Sequence, residues 1–373
     1  MFRNVMAIER ALGTGIIISS SKPIPQHVEQ RIRAFVEEYE SVLSRFRADS
    51  LVSRMACATE GGDFEFPAWA QPLFVLYDEF YDATRGAFDA CVGADLLALG
   101  YDNSVQFVPE SAGTASKDSV SVSVSVSVSG NWSKYRRALP VKWADISRDD
   151  NSTTLCTNQP VQLDFGAAGK GYFVDLVTNI LKDELGDDSP ANSDLPSDCD
   201  FLVNAGGDMR ACFSDEDYQI KVALENPFDT TQAVGAASIV SGALCASSNA
   251  RRRWKVKDAN CLAANAFESN CHKSNGCESD AFESNLIATH LINALDGIPV
   301  CDLCASWAYV PAKTCDFPTA YADALATALF VSQENDLQKI VQTTSAEFAV
   351  MLPNCAACQV RKTSAFPAYF FAD

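Results

Sequence analysis

Asp323 and Thr327 stand four residues apart in "ADALAT". In a helix that spacing puts a carboxylate and a hydroxyl on one face. Hard oxygen donors of this kind suit Mg²⁺, which takes one or two protein carboxylates and leaves positions for water and substrate phosphates. Leu325 and Leu329 fall on roughly the opposite side and anchor the helix. The alternative is a solvated polar face.

A second candidate is "LDFGAAGKGYFVDL", Leu163 to Leu176, where a β-like run ends on Asp164 and a glycine turn carries Lys170. Gly166, Gly169 and Gly171 let backbone approach a ligand, and the helix expected from Tyr172 aims its free N–H groups at the turn. Lys170 is placed to meet a phosphate, and Asp164 to accept a hydrogen bond from a heterocycle or ribose. A Walker A loop is excluded, because Asp164 replaces its first glycine and Gly171 its Ser/Thr. No G-x-G-x-x-G occurs either. An ordinary strand-to-helix turn remains the competing reading.

Further candidates are less specific. "VNAGGDM" (Val203 to Met209) reads as a strand edge or a tight turn. Arg251, Arg252 and Arg253 form an anion clamp or a solvated run. His290 lies in a strand-like segment before a turn, where a lone histidine is either structural or catalytic. The pairs Cys301/Cys304 and Cys355/Cys358 have zinc-type spacing without a finger-like context. A G-x-S-x-G elbow is missing.

The elements that must position these residues follow from periodicity. Gly13 to Ser19 reads as a strand, and Val28 to Leu43 as a helix through Ile32, Phe35, Val36 and Tyr39. "SRFRADSLVSRM" reads as turn-rich. Trp69 to Tyr81 is a helix with Leu73, Phe74, Leu76, Tyr77 and Phe80 on its buried face. Lys142 to Ile146 and Val161 to Phe165 read as strands bracketing a polar turn. "FLVNAGGDMRACF" is a strand breaking at Gly206-Gly207, and "FPTAYADALATALFV" a helix with a proline near its start. The Ser-Val alternation from Ser119 to Ser129 has strand period, but its low complexity favours a surface loop. Ala259 to Ser284, with the near-copies "NAFESN" and "DAFESN", reads as a surface insertion. Without a βαβ rhythm, the interspersed elements indicate an α+β fold.

The chain has 373 residues, 47% hydrophobic and 21% charged, enough for a sizeable core. Its net charge of −19 argues against nucleic acid as a partner. No apolar run reaches the roughly 20 residues of a membrane span. Glu9 and Arg10 interrupt the N-terminus where a signal peptide would be apolar. Fourteen scattered cysteines suit reduced, buried thiols. The expectation is a cytoplasmic protein, with export through an unrecognised signal as the alternative.

In order, "LGT", "FRADSLVSRM", "DATRGAFD", "LDFGAAGKGYFVD", "VNAGGD", "HLINALDGIP" and "ADALAT" resemble the FAD:protein FMN transferases, the ApbE-like flavin-transfer proteins. The likeness runs from about Leu12 to the C-terminus. It implies one domain over residues 1–373, with insertions near 111–130 and 259–285, and largely antiparallel sheets flanked by helices. It further implies Mg²⁺-dependent transfer of FMN from FAD to a Ser or Thr hydroxyl of an acceptor flavoprotein, with release of AMP. An FAD pyrophosphatase and a non-catalytic FAD-binding protein are the alternatives.

Carried over by position, Leu12 and Phe46 would pack on the flavin, and Ala87, Phe88 and Asp89 would line it. Asp164, Lys170, Ile292 and Ala326 match FAD contacts. The Ala167 carbonyl, Asp323 and Thr327 match metal ligands, and His290 lies near the reacting phosphate. This chain has Asn293, Ala294 and Asp296 where the family reads Asp, Pro and Thr, and Asn249 where it has a glycine.

Overall fold

The computed structural model describes residues 2–102, 105, 107, 141–185, 199–256, 287–353 and 359–371. Two strands, β1 (Asn4–Ala11) and β2 (Thr14–Ser20), form a hairpin. Its turn needs left-handed backbone, with Leu12 at φ 55° and Gly13 at φ 72°. Period-two burial sends Met6, Ile8, Ile16 and Ile18 inward. Helix α1 (Gln26–Leu43) buries Val28, Ile32, Val36, Tyr39 and Leu43, the stripe its spacing predicts.

The turn-rich reading of the next segment is corrected in part. Ser50 caps a short helix, α2 (Leu51–Cys57), its hydroxyl accepting from Ser53 N at 3.1 Å. Strand β3 (Gly62–Glu65) pairs with β4 (Thr154–Thr157). Helix α3 (Gln71–Ala83) buries Leu73, Phe74, Leu76, Tyr77 and Phe80, all five expected positions. Helix α4 (Gly93–Ala98) follows.

The two strands expected around Lys142–Ile146 and Val161–Phe165 are not formed. Trp143–Asp145 is a single 3₁₀ turn, held where Trp143 N donates to both Asp89 carboxylate oxygens at 3.2 Å. Val161, Leu163 and Phe165 are buried in alternation, yet Asp164 N donates to Ala90 O (2.7 Å) and Val161 N to Met55 O (3.4 Å), so no ladder forms. Period two here records burial without a partner strand.

Beyond helix α5 (Gly169–Leu185), the chain lays down β5 (Phe201–Ala205), β6 (Asp208–Cys212), β7 (Ile220–Asn226), β8 (Asp229–Ile239) and β9 (Gly242–Ser248). Next come β10 (Arg253–Lys255), β11 (Ile287–Thr289), β12 (Ile292–Asn293), β13 (Ile298–Pro299) and β14 (Ala305–Pro311). Helices α6 (Pro318–Val331) and α7 (Gln338–Thr344) precede β15 (Glu347–Met351), β16 (Val360–Lys362) and β17 (Ala368–Phe370).

Eight strands form one antiparallel sheet in the order β1-β2-β5-β6-β9-β14-β15-β16. A smaller antiparallel sheet has the order β17-β8-β7. Alternation decides the layering. Ala243, Cys245, Ala308 and Val310 face α5 and α6 in the main core, while Leu244, Trp307 and Tyr309 face Leu224, Val234 and Ile239 of the smaller sheet. The sheet is therefore covered on both faces, an α+β architecture. A third cluster packs Leu96, Leu99 and Tyr101 against Trp254 and Ile292.

The Ser-Val tract, the Ala259–Ser284 insertion and the Cys355/Cys358 pair lie outside the described residues. Among the described residues no helix is long and apolar enough to cross a membrane. The nine described cysteines are free thiols; Cys91, Cys199, Cys245 and Cys304 are buried, whereas Cys57 and Cys301 are exposed, so the expected burial holds in part.

Candidate active site

The glycine turn and the helix it opens lie against α6. Gly171 N, in the first turn of α5, donates to Asp323 Oδ2 at 2.9 Å. A Cβ at Gly171 would sit 2.2 Å from Thr319 O and 2.7 Å from Asp323 Cβ, so the close approach of the two helices requires glycine there. In the opposite direction, Asp175 of α5 accepts from Thr319 N (2.9 Å), Thr319 Oγ1 (2.6 Å) and Ala320 N (2.9 Å) at the start of α6. Each helix thus supplies a carboxylate that caps the other. Burial pushes Asp175 up to about 6, opposed by the Arg210 charge and these hydrogen bonds.

Asp323 is 2% exposed, which overturns the solvated-face alternative. Its carboxyl is pushed well above the usual range by burial first and by Asp208 second, while Lys170 opposes the shift. Lys170 forms an ion pair with Asp208 and lies 3.5 Å from Asp323 Oδ1. Burial alone would lower the lysine, but the two carboxylates outweigh it and keep it protonated. One ammonium therefore serves two buried carboxylates, leaving a local excess of negative charge. Thr327 Oγ1, one turn along α6, is 3.1 Å from Ser247 Oγ of β9.

A cleft of about 870 Å³ opens beside this group. Ala167, Lys170, Asp323 and Thr327 line it together with His290. Leu12, Phe46, Ala87, Phe88, Asp89, Asp164 and Ile292 line it as well. Ala326 is fully buried outside that lining, and its carbonyl accepts from Ser306 Oγ at 2.6 Å. Phe46, by contrast, is 42% exposed.

Asp164 is more constrained than its sequence context indicates. One oxygen accepts from Gly166 N at 2.7 Å and the other from Arg45 Nε. The Arg45 guanidinium lies 4.2 Å from the Phe46 ring centroid and donates to Tyr101 O at 2.9 Å. Asp89 caps the turn after it, accepting from Cys91 N at 2.7 Å. Leu12 N donates to Glu40 Oε1 at 2.7 Å, which fixes its left-handed backbone beside the cleft.

His290 has a buried Nδ1 with no partner at normal hydrogen-bond geometry among the described residues, although the Arg252 backbone lies near enough to oppose slightly the lowering of its pKa. Burial, then Arg252 and Lys170, hold its pKa well below the usual imidazole value, so the ring is neutral near pH 7. The altered turn after it is well made: Asn293 Oδ1 accepts from Leu295 N and Asp296 Oδ1 from Ile298 N, both at 2.9 Å. Asn249 is buried, its amide donating to Leu303 O at 2.8 Å.

Three contributors were not singled out from sequence. Asp208 sits inside the quoted "VNAGGD", where only the glycines drew notice. Arg45 directly precedes Phe46. Ser247 opens the segment "SSNARRRW", of which only Asn249 and the arginines drew notice.

Among the described residues no three His, Cys, Asp or Glu side chains gather as a metal cage. The set formed by Asp323, Thr327 and the Ala167 carbonyl is of another kind: hard oxygens beside surplus negative charge, fit for a hard divalent cation with open positions. A second cavity of about 480 Å³ lies elsewhere, around Asp78, Trp143 and Arg148. Of its three acids, Asp78, Asp149 and Asp150, the first is satisfied by Trp143 Nε1 (2.7 Å) and Arg148.

Three solved structures share this architecture. The ApbE protein of Thermotoga maritima is 19% identical, with a TM-score of 0.64 over 97% of this chain and 98% of its own. The flavin transferase ApbE of Vibrio cholerae is 16% identical, with a TM-score of 0.62 over 97% of each chain. The flavinyl transferase ApbE of Pseudomonas stutzeri is 19% identical, with a TM-score of 0.61 over 97% of this chain and 95% of its own. These likenesses carry the fold. No curated protein matches the sequence. The model of the ApbE family matches residues 12–263, a span running from the hairpin turn through the glycine turn and the Gly206-Gly207 corner, and the chain therefore belongs to the ApbE family.

Proposed function

We propose that the protein is a flavin transferase, moving FMN from FAD to a Ser or Thr hydroxyl of an acceptor flavoprotein and releasing AMP. Family membership and the flavin transferase names of its structural relatives support the general reaction. The observation that carries it to this chain is the gathering of Ala167, Lys170, Asp323 and Thr327 in one cleft with Phe46 and Ile292.

Asp323, Thr327 and the Ala167 carbonyl would hold Mg²⁺. When bound, that ion neutralises charge on pyrophosphate oxygens. The chain does the rest. Lys170, at the start of α5, brings a fixed positive charge to the phosphates. Phe46, Leu12 and Ile292 offer apolar surface to the isoalloxazine ring. His290, neutral and lining the cleft, takes the hydroxyl proton. The acceptor oxygen forms a bond to the FMN phosphorus, the pyrophosphate P–O bond breaks, and AMP leaves with the bridging oxygen.

The test is direct. With FAD, Mg²⁺ and an acceptor flavoprotein, covalent flavin fluorescence is expected on the acceptor band of a denaturing gel. AMP formed without labelled protein would make water the acceptor and the protein an FAD pyrophosphatase. Binding of FAD with no AMP under any metal condition would contradict catalysis altogether.

A further inference from the structure

Among the described residues the smaller sheet ends in β7, which pairs with β8 on one side only. Four successive β7 residues, Val222, Ala223, Leu224 and Glu225, line the cleft. Successive side chains of a strand point to opposite faces. Four in a row reach one cavity only if the strand turns its edge toward it. On that edge every second residue presents N–H and C=O groups, and none of them has a backbone partner among the described residues. The register shift between Leu224 and Glu225 places its extra residue, Val234, in β8, so β7 itself carries no insertion along its outer edge here.

The edge also adjoins the reacting groups. Glu225 Oε1 accepts from Arg251 Nε at 2.8 Å. The next residue, Arg252, lies close enough to His290 and Lys170 to weigh on both their charges. The end of β7 is therefore tied through two consecutive arginines to the wall where the phosphate chemistry is placed.

We propose that β7 is the docking edge for the acceptor, which adds an extended segment as a further strand and so brings its Ser or Thr hydroxyl beside His290. This rests on the transferase reading above. A polypeptide is the occupant because the exposed edge offers alternating donors and acceptors at strand spacing, a pattern that another extended backbone complements. Open edges of this sort are otherwise blocked by covering segments, prolines or bulges.

The probe is a mixture of synthetic nine-residue peptides, each with one central Thr, incubated with the protein, FAD and Mg²⁺. Peptides that gain the mass of FMN are identified, and the best is resynthesised with a single backbone N-methyl group at each position in turn. Labelling is expected to fall about tenfold or more at alternate positions only, each a lost backbone hydrogen bond. On the protein side, Val222→Pro and Ala223→Pro are compared, since one of these N–H groups faces β8 and the other the cleft. The variant with wild-type melting temperature is expected to lose peptide labelling by more than it loses FAD affinity.

An N-methyl scan without period two overturns the docking edge. So does a proline variant that loses FAD affinity and labelling equally, because the edge would then belong to FAD. AMP release with no labelled peptide removes the docking edge and leaves FAD cleavage standing. Absence of AMP under every condition removes the transferase reading and this proposal with it.

Discussion

His290 and Gly171 show how much a single side chain decides in this cleft. The imidazole is neutral because burial and two nearby cations disfavour its charged form. A proton acceptor that is already neutral keeps its role down to a pH well below the ordinary histidine value, so transfer should not decline as pH falls from 8 to 6.5 on account of this group. His290→Gln is expected to slow transfer by about 10²–10⁴-fold with FAD affinity retained, measured by AMP release and by fluorescence titration. Gly171→Ala places a methyl group 2.2 Å from Thr319 O. The helices must separate to admit it, costing about 1–3 kcal/mol in thermal unfolding and moving Asp323 from Gly171 N.

The two helices are held by reciprocal carboxylate caps, and these respond differently to substitution. Asp175→Ala leaves three donors at the start of α6 unsatisfied, and a loss of about 1–3 kcal/mol is expected from thermal denaturation. Asp175→Asn keeps an acceptor, and its effect has a sign set by pH. The folded-state value, about 6, lies above the ordinary aspartate value of 3.8, so between these limits the folded chain binds the extra proton. Stability from this group therefore falls as pH rises from about 4 to 6, by roughly 3 kcal/mol in all. Relative to wild type, Asp175→Asn should be more stable at pH 7 than at pH 4. A difference independent of pH would show that Asp175 is charged throughout.

Sequence periodicity was enough to place α1 and α3, because each buries a single stripe, while α6, buried on nearly every side, was legible from its apolar run and its early proline. The break at Gly206-Gly207 was equally legible, since both glycines adopt positive φ, 64° and 109°. Val161 to Phe165 misled because alternation reports which side is buried and is blind to whether a partner strand exists. The Asp175 cap, the Arg45–Asp164 pair and the Lys170–Asp208 pair were hidden for a common reason. Each joins residues far apart in sequence, and a local pattern holds no trace of the partner. The solvated-face alternative for Asp323 stayed open in the sequence because its burial depends on α5, which packs over it.

The molecule as a whole carries a net charge of −19, yet the cleft brings Lys170, Arg251 and Arg252 together on its walls. Five carboxylates, of Asp89, Asp164, Asp208, Glu225 and Asp323, share those walls, so neutralising a bound pyrophosphate falls to Lys170, Arg252 and any cation bound with it, and FAD affinity should rise with added Mg²⁺. FAD at about 100 times its Kd should raise the unfolding free energy by about 2.7 kcal/mol, visible as a higher Tm. Helices on one face of the main sheet and the smaller sheet on the other bring residues as distant as Leu12 and Thr327 to one cavity.

The decisive measurement is AMP release from FAD in the presence of an acceptor flavoprotein, by wild type and Asp323→Asn, each with Mg²⁺ and with EDTA. Wild type should release AMP with Mg²⁺ and stop with EDTA. Asp323→Asn, with its fold verified by circular dichroism, should be slower by on the order of a hundredfold or more. Equal rates for the two proteins, or a wild-type rate unchanged by EDTA, would contradict a metal held by Asp323 at the glycine turn.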